Sequence, residues 1–300
     1  MFRNIKSTAV AALLCAVAAP VLAACDEAAE SSEAPASSEA PASAAAGQEP
    51  ISGTAKITVD GRSVNVSCSG TEMEDRPVVV LLAGLGDGLD KLAAFQQTLS
   101  TKGRVCSYDR LGEGASDQPA GPQTFDSAGR ILTGVLDRVA GDQPVVLAGH
   151  SLGGLIAARY APAHRDRVAG LVLMDATPST IIGDTTAAIP ESATGPAAEL
   201  RAQSLAVYGG ENPEMLAMQD GEVGYAGDIP VEVIRHGQPY LAAVPEYGAA
   251  LEQAWAAGQD KWLKLSSDSN PVTAANSGHY IYVDQPDVAV QAIERVAADA

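Results

Sequence analysis

Short apolar runs separated by helix-length stretches set the rhythm of this chain. The runs fall at 78–82, 105–108, 145–148, 168–174, 231–234 and 272–274, and helical spacing marks 88–101, 124–140, 152–163, 246–264 and 285–297. A run such as Gly-Leu-Val-Leu-Met at 170–174 has no polar face, as expected of a strand buried on both sides. Strands alternating with helices predict a mostly parallel sheet with helices on both faces. Ahead of them, 53–68 alternates apolar and polar residues around Asp60-Gly61, a hairpin signal that adds an antiparallel edge. One stretch breaks the rhythm. Residues 176–229 are rich in Gly, Pro, Ala and Thr, with only a weak helical pattern at 196–207. A connection of that length inside a compact domain is usually functional, and here it reads as a lid.

The first fifty residues follow other rules. Arg3 and Lys6 precede a short apolar stretch at 8–22, and Leu22-Ala23-Ala24-Cys25 resembles a bacterial lipobox. The expectation is a lipoprotein signal at 1–24, with Cys25 lipidated and the protein anchored outside the cytoplasmic membrane. Residues 25–50 carry no large apolar side chain and repeat Ser-Ser-Glu-Ala-Pro-Ala, so they predict a disordered tether. Its reach would be about 25–30 Å. The folded domain is then 51–300, long enough for one large core.

Charge narrows the partners. The net charge of −18 argues against nucleic acid, whose phosphates such a surface would repel. Beyond Cys15 and Cys25, only Cys68 and Cys106 remain. In an exported chain such a pair points to a disulfide, with two buried thiols as the alternative. The four histidines, at 150, 164, 236 and 279, form no sequence cluster, and neither a metal nor a cofactor is expected.

The chemistry concentrates where the run at 145–148 enters Gly149-His150-Ser151-Leu152-Gly153 and then a helical stretch. Strand, G-x-S-x-G, helix is a nucleophile elbow. The serine needs a sharp turn to project its hydroxyl, and the flanking glycines remove side chains that would collide there. The N–H of Leu152, at the helix start, then faces the place where an oxyanion would form.

With these motifs the chain resembles the serine α/β-hydrolases from about residue 53 to 298. Three further stretches support the resemblance. Leu82-Ala83-Gly84-Leu85-Gly86 matches the family's oxyanion loop, with Ala83 where a His is more usual, and implies the N–H of Leu85 as second donor. The stretch from Tyr108 to Asp117 resembles the family's Y-D-x-x-G-x-G-x-S turn, which makes Asp109 and Arg110 structural. Ser277-Gly278-His279 resembles its catalytic His loop, so His279 is the expected general base, with His150 a packing or hydrogen-bonding neighbour and His164 and His236 without a catalytic role.

The family's acid usually follows the strand after the lid, yet no Asp or Glu follows 231–234 until Glu246. Some members carry it one strand earlier, which here is Asp175. Asp175 is therefore the expected acid, with Glu246 and Asp268 as alternatives. The resemblance also places the strand ending at Cys68 beside the strand holding Cys106, which implies a Cys68–Cys106 disulfide. The implied activity is hydrolysis of a small-molecule carboxylic ester through an acyl-serine. A peptidase or amidase of the same fold, or a non-catalytic surface binding module, are the alternatives.

Overall fold

The structure, a computed structural model, describes residues 49–300. The expected signal, the lipidated Cys25 and almost all of the tether lie outside the described residues. The elements run β1 (Gly53–Val59), β2 (Arg62–Ser69), β3 (Val79–Leu82), α1 (Leu89–Leu99), β4 (Val105–Tyr108), α2 (Phe125–Ala140), β5 (Val145–His150), α3 (Leu152–Tyr160) and β6 (Val168–Met174). They continue with α4 (Ile181–Ala188), α5 (Pro196–Tyr208), β7 (Pro230–His236), α6 (Gly248–Trp262), β8 (Asp268–Ala274), α7 (Ile281–Asp284) and α8 (Pro286–Asp299).

Eight strands form one sheet in the order β1-β2-β4-β3-β5-β6-β7-β8. The hairpin β1–β2 is antiparallel and joins antiparallel to β4, while every other pairing is parallel. Alternation along the strands divides the core in two. Val80, Leu82, Leu147, Leu171, Leu173 and Val233 face α2, α3 and α6, with Leu132, Leu136, Leu155 and Trp262 against them. Val79, Leu81, Val146, Val172 and Met174 face the other way, onto Leu92 and Phe95 of α1 and Ile293 and Val296 of α8. Apolar residues on both faces explain why these strands read as unbroken hydrophobic runs.

The register of β2 on β4 sets Cys68 opposite Cys106, and the two form a disulfide with a Cα–Cα distance of 4.1 Å. In the 176–229 insertion, α5 matches the weak helical pattern, and α4 is an element that periodicity alone does not predict. Helix α4 has only eight residues, four of them β-branched (Ile181, Ile182, Thr185, Thr186), which lowers intrinsic helix preference. Packing supplies what propensity lacks, because Ile181, Thr185 and Ala188 are buried and α4 lies against α5 and α6.

Candidate active site

The parallel strands β5, β6, β7 and β8 all end at one edge of the sheet, and the residues that follow them meet there. Ser151 caps α3 with φ 50° and ψ −120°, a conformation an L-residue adopts only under constraint. The surroundings supply that constraint. Ser151 N–H donates to Met174 O at 3.2 Å, and Ser151 O accepts from Thr177 N–H at 3.0 Å and Leu155 N–H at 3.1 Å. A Cβ on Gly153 would run into the carbonyls of Leu82 and Ala83, and one on Gly149 would meet the backbone of Gly153 at 2.5 Å. The turn therefore closes only with glycine at both positions. Leu152 opens α3, so its N–H is among the first-turn donors that have no intrahelical acceptor.

One strand over, Asp175 also has a positive φ, of 46°, directly after β6. It is wholly buried, and a buried carboxylate is costly unless donors surround it. Its Oδ2 accepts from His279 Nδ1 at 2.7 Å. Its Oδ1 accepts from Trp255 Nε1 at 2.9 Å and from His236 Nδ1 at 2.8 Å, with His236 N–H at 3.3 Å. Burial alone would raise its pKa, but the hydrogen bonds and charges of the two histidines hold it well below the usual carboxylate range. Asp175 is an anion.

His279 lies on the loop between β8 and α7. The loop is tied down by Gly278 N–H on Asp284 Oδ2 at 3.0 Å and by Asn276 N–H on Gln285 Oε1 at 2.6 Å. Trp255 meets the His279 ring edge-on at 5.6 Å. His150 Nε2 donates to His279 O at 3.0 Å. Burial, then the neighbouring His279, pushes the His150 pKa down to about 3, so His150 is neutral and this donor is its one ring proton. With Nδ1–H of His279 given to Asp175, its Nε2 carries the lone pair that can accept a proton. Ser151 Oγ lies 3.4 Å from Thr177 Oγ1, and no hydrogen bond joins it to His279 among the described residues.

The loop after β3 completes the cluster. Arg110 donates to Ala83 O at 2.6 Å and to Gly84 O at 2.9 Å, and Glu113 Oε1 accepts Gly86 N–H at 2.9 Å. Leu85, the expected second oxyanion donor, sits between these anchors. Asp109 collects Leu89 N–H, Ala115 N–H and Asn65 Nδ2, which is the work of a residue that shapes a turn.

Ser151, Asp175, His279, Leu85 and Leu152 thus share one edge of the sheet. Neither alternative acid hydrogen-bonds to His279 among the described residues. Glu246 is exposed on the turn before α6, and Asp268 is the first residue of β8, a strand's length from the edge where His279 emerges. His164 stacks on Tyr160 at 3.8 Å, away from the site. His236, expected to have no catalytic role, instead lies directly on Asp175, and Trp255, Tyr240 and Glu252 join it there. Tyr240 Oη is 3.3 Å from His279 Nδ1. The signal for His236 was its position: it is the last residue of β7, in the region where the acid was sought and not found. Nothing in their spacing marks Trp255 or Glu252, which reach the site from α6.

Strand order, elbow and helix placement define an α/β-hydrolase fold. A family model described as alpha/beta hydrolase fold matches residues 77–213. A (lyso)-N-acylphosphatidylethanolamine lipase from Bos taurus is 33% identical over 107 residues, covering 35% of this chain and 31% of the lipase. The chain therefore spans about a third of that relative's length. Among solved structures, an enol-lactonase from Burkholderia xenovorans superposes with a TM-score of 0.54 at 21% identity, covering 81% of this chain and 99% of the lactonase. A carboxylesterase from Bacillus subtilis gives 0.55 at 17%, covering 82% and 91%. At these identities the structural likeness concerns the fold.

Proposed function

We propose that this protein is a serine hydrolase of carboxylic esters. The observation that carries the reading is the 2.7 Å contact between Asp175 Oδ2 and His279 Nδ1, one strand from a serine held in a strained elbow. Asp175 fixes the tautomer of His279, so Nε2 takes the proton as Ser151 Oγ attacks the ester carbonyl. The oxyanion of the tetrahedral intermediate is held by the N–H groups of Leu152 and Leu85. His279 returns the proton to the departing alcohol, leaving an acyl-serine. Water, deprotonated by the same nitrogen, then releases the acid and regenerates Ser151. A lipase similar to this chain over about a third of its length supports an ester as substrate. The lipobox-like Leu22–Cys25 stretch supports an extracytoplasmic, lipid-anchored location, with the 25–50 segment as tether.

The test is covalent labelling of the full chain with a fluorophosphonate, followed by hydrolysis assays over ester chain lengths with amide and lactone controls. Labelling lost in Ser151→Ala, with ester turnover, is the expected result. An unlabelled wild-type protein would favour a non-catalytic module. Palmitate incorporation abolished by Cys25→Ala is expected in cells, and unchanged incorporation sinks the anchor.

A further inference from the structure

His236 touches carboxylates through both ring nitrogens. Nδ1 lies 2.8 Å from Asp175 Oδ1, and Nε2 lies 2.9 Å from Glu252 Oε2. A neutral imidazole has one N–H and one lone pair. Between two carboxylates, the neutral ring would set its lone pair against an anionic oxygen. Only the imidazolium satisfies both contacts. Glu252 is itself fixed, because its Oε1 accepts the N–H groups of Leu241 at 2.5 Å and Ala242 at 3.1 Å. A continuous chain therefore runs from the loop after β7, through Glu252, His236 and Asp175, to His279.

We propose that His236, anchored by Glu252, is a positioning residue that holds the Asp175 carboxylate against His279 only while its imidazole is doubly protonated. The proposal rests on the triad reading above. His236 does not touch the reacting atoms and acts through Asp175. Asp175 presents one oxygen to each histidine, so its rotation about the Cβ–Cγ bond is set by His236 and Trp255 on Oδ1 while Oδ2 serves His279. Losing one ring proton leaves a single N–H between the two carboxylates, so the lone pair repels either Asp175 directly or the Glu252 that anchors the ring. With the proton on Nε2, Oδ1 keeps only Trp255 Nε1 and the longer His236 N–H.

The groups facing His236 come from every element around it. Asp175 approaches from β6, Glu252 from α6, and the Tyr240 ring from the loop after β7, edge-on at 4.9 Å. The adjacent Arg235 turns away to Asp260 and Thr273. Burial opposes the charged form of His236, but Asp175 and then Glu252 outweigh it and lift the pKa to about 8. The sign follows: the bridge is intact at neutral pH and fails as pH rises through about 8.

The experiment follows the rate of fluorophosphonate labelling of Ser151 in the full chain from about pH 6 to about pH 10. The wild-type rate should fall along an alkaline limb centred near 8. His236→Asn keeps one donor that does not titrate, so the limb should vanish, with a rate at neutral pH lower by roughly ten- to a hundredfold. Glu252→Gln should shift the limb to lower pH, because one of the carboxylates that favour the cation is gone. In parallel, proton NMR of the wild type should show both ring N–H signals of His236 at neutral pH, both absent in His236→Asn and one of them lost above the limb. An alkaline limb that persists in His236→Asn, or a single ring N–H at neutral pH, overturns the proposal. A wild type that never labels overturns the hydrolase reading and the positioning role with it. Labelling with an unchanged limb overturns the positioning role alone.

Discussion

Arg110 grips Glu214 with two parallel hydrogen bonds, Nε to Oε2 at 2.8 Å and Nη2 to Oε1 at 2.7 Å, and both residues are buried. The same guanidinium holds the carbonyls of Ala83 and Gly84. Glu214 lies in the 176–229 insertion and Ala83–Gly84 in the loop after β3, so one side chain ties the insertion to the expected oxyanion loop. Arg110 suits the task because its planar fork serves four acceptors at once, which a lysine cannot do.

Glu214→Gln should therefore cost roughly 3–5 kcal/mol of stability, because it strands a buried cation. It should also slow fluorophosphonate labelling, since the loop after β3 loses its brace. The exposed neighbour Glu211 provides the comparison, and Glu211→Gln should stay within about 0.5 kcal/mol of wild type. Urea titrations of the two variants measure the difference. Equal costs would show that the buried pair has no special weight.

Asp175→Asn should leave the sheet assembled but lower ester hydrolysis by a factor on the order of 10⁴, because an amide cannot accept from His279 while also holding the donors on its other side. Glu246→Gln and Asp268→Asn, at two exposed residues with no hydrogen bond to His279, should stay within a few-fold of wild type. Steady-state kinetics on an activated ester decide it. Substantial activity in Asp175→Asn would remove the residue from the mechanism.

Much of this was legible from the chain itself. Strands buried on both faces leave unbroken apolar runs, so β3 to β7 and the parallel sheet could be read directly. Ser151 could be placed because an elbow demands glycine on either side of it, and that demand is local. Asp175 and His279 entered through the resemblance to the serine α/β-hydrolases, with Glu246 and Asp268 left as alternatives to Asp175, and the 2.7 Å contact between Asp175 and His279 is a tertiary fact that spacing does not carry. What could not be read depends on tertiary contact. Helix α4 forms on β-branched residues because α5 and α6 bury its face. Trp255 and Glu252 reach Asp175 and His236 from α6, a relationship without sequence periodicity. His236 fell between the two cases: its place at the end of β7 was visible, but the two carboxylates that define its charge were not.

The Cys68–Cys106 disulfide closes a loop of 38 residues between the antiparallel edge and the parallel sheet. In the chain-entropy account, such a loop stabilises by about 4 kcal/mol. Replacing both cysteines by alanine should lower the urea midpoint accordingly, and adding reductant should lower wild type toward the variant. Because the bridge lies away from the Ser151 edge, labelling of the folded variant should stay near wild type. A variant as stable as the oxidised wild type would contradict this.

Glu113 gives a pH dependence of the opposite origin to His236. Its Oε1 accepts Gly86 N–H, but burial, and next the charge of Glu214, outweigh Arg110 and that hydrogen bond and push its pKa up to about 7. The folded protein therefore binds a proton that the unfolded chain has already released at the ordinary 4.5. Stability falls with pH wherever the folded state holds more protons, so Glu113 makes the protein less stable as pH rises from about 4.5 to about 7. Glu113→Gln keeps an oxygen for Gly86 N–H and removes the titration. Relative to wild type, it should gain little at about pH 5 and clearly more at about pH 8, as read from urea unfolding at both values. The same relative stability at the two pH values would show that Glu113 is ionised in the folded protein at both, and that the loop after β3 carries its charge without cost.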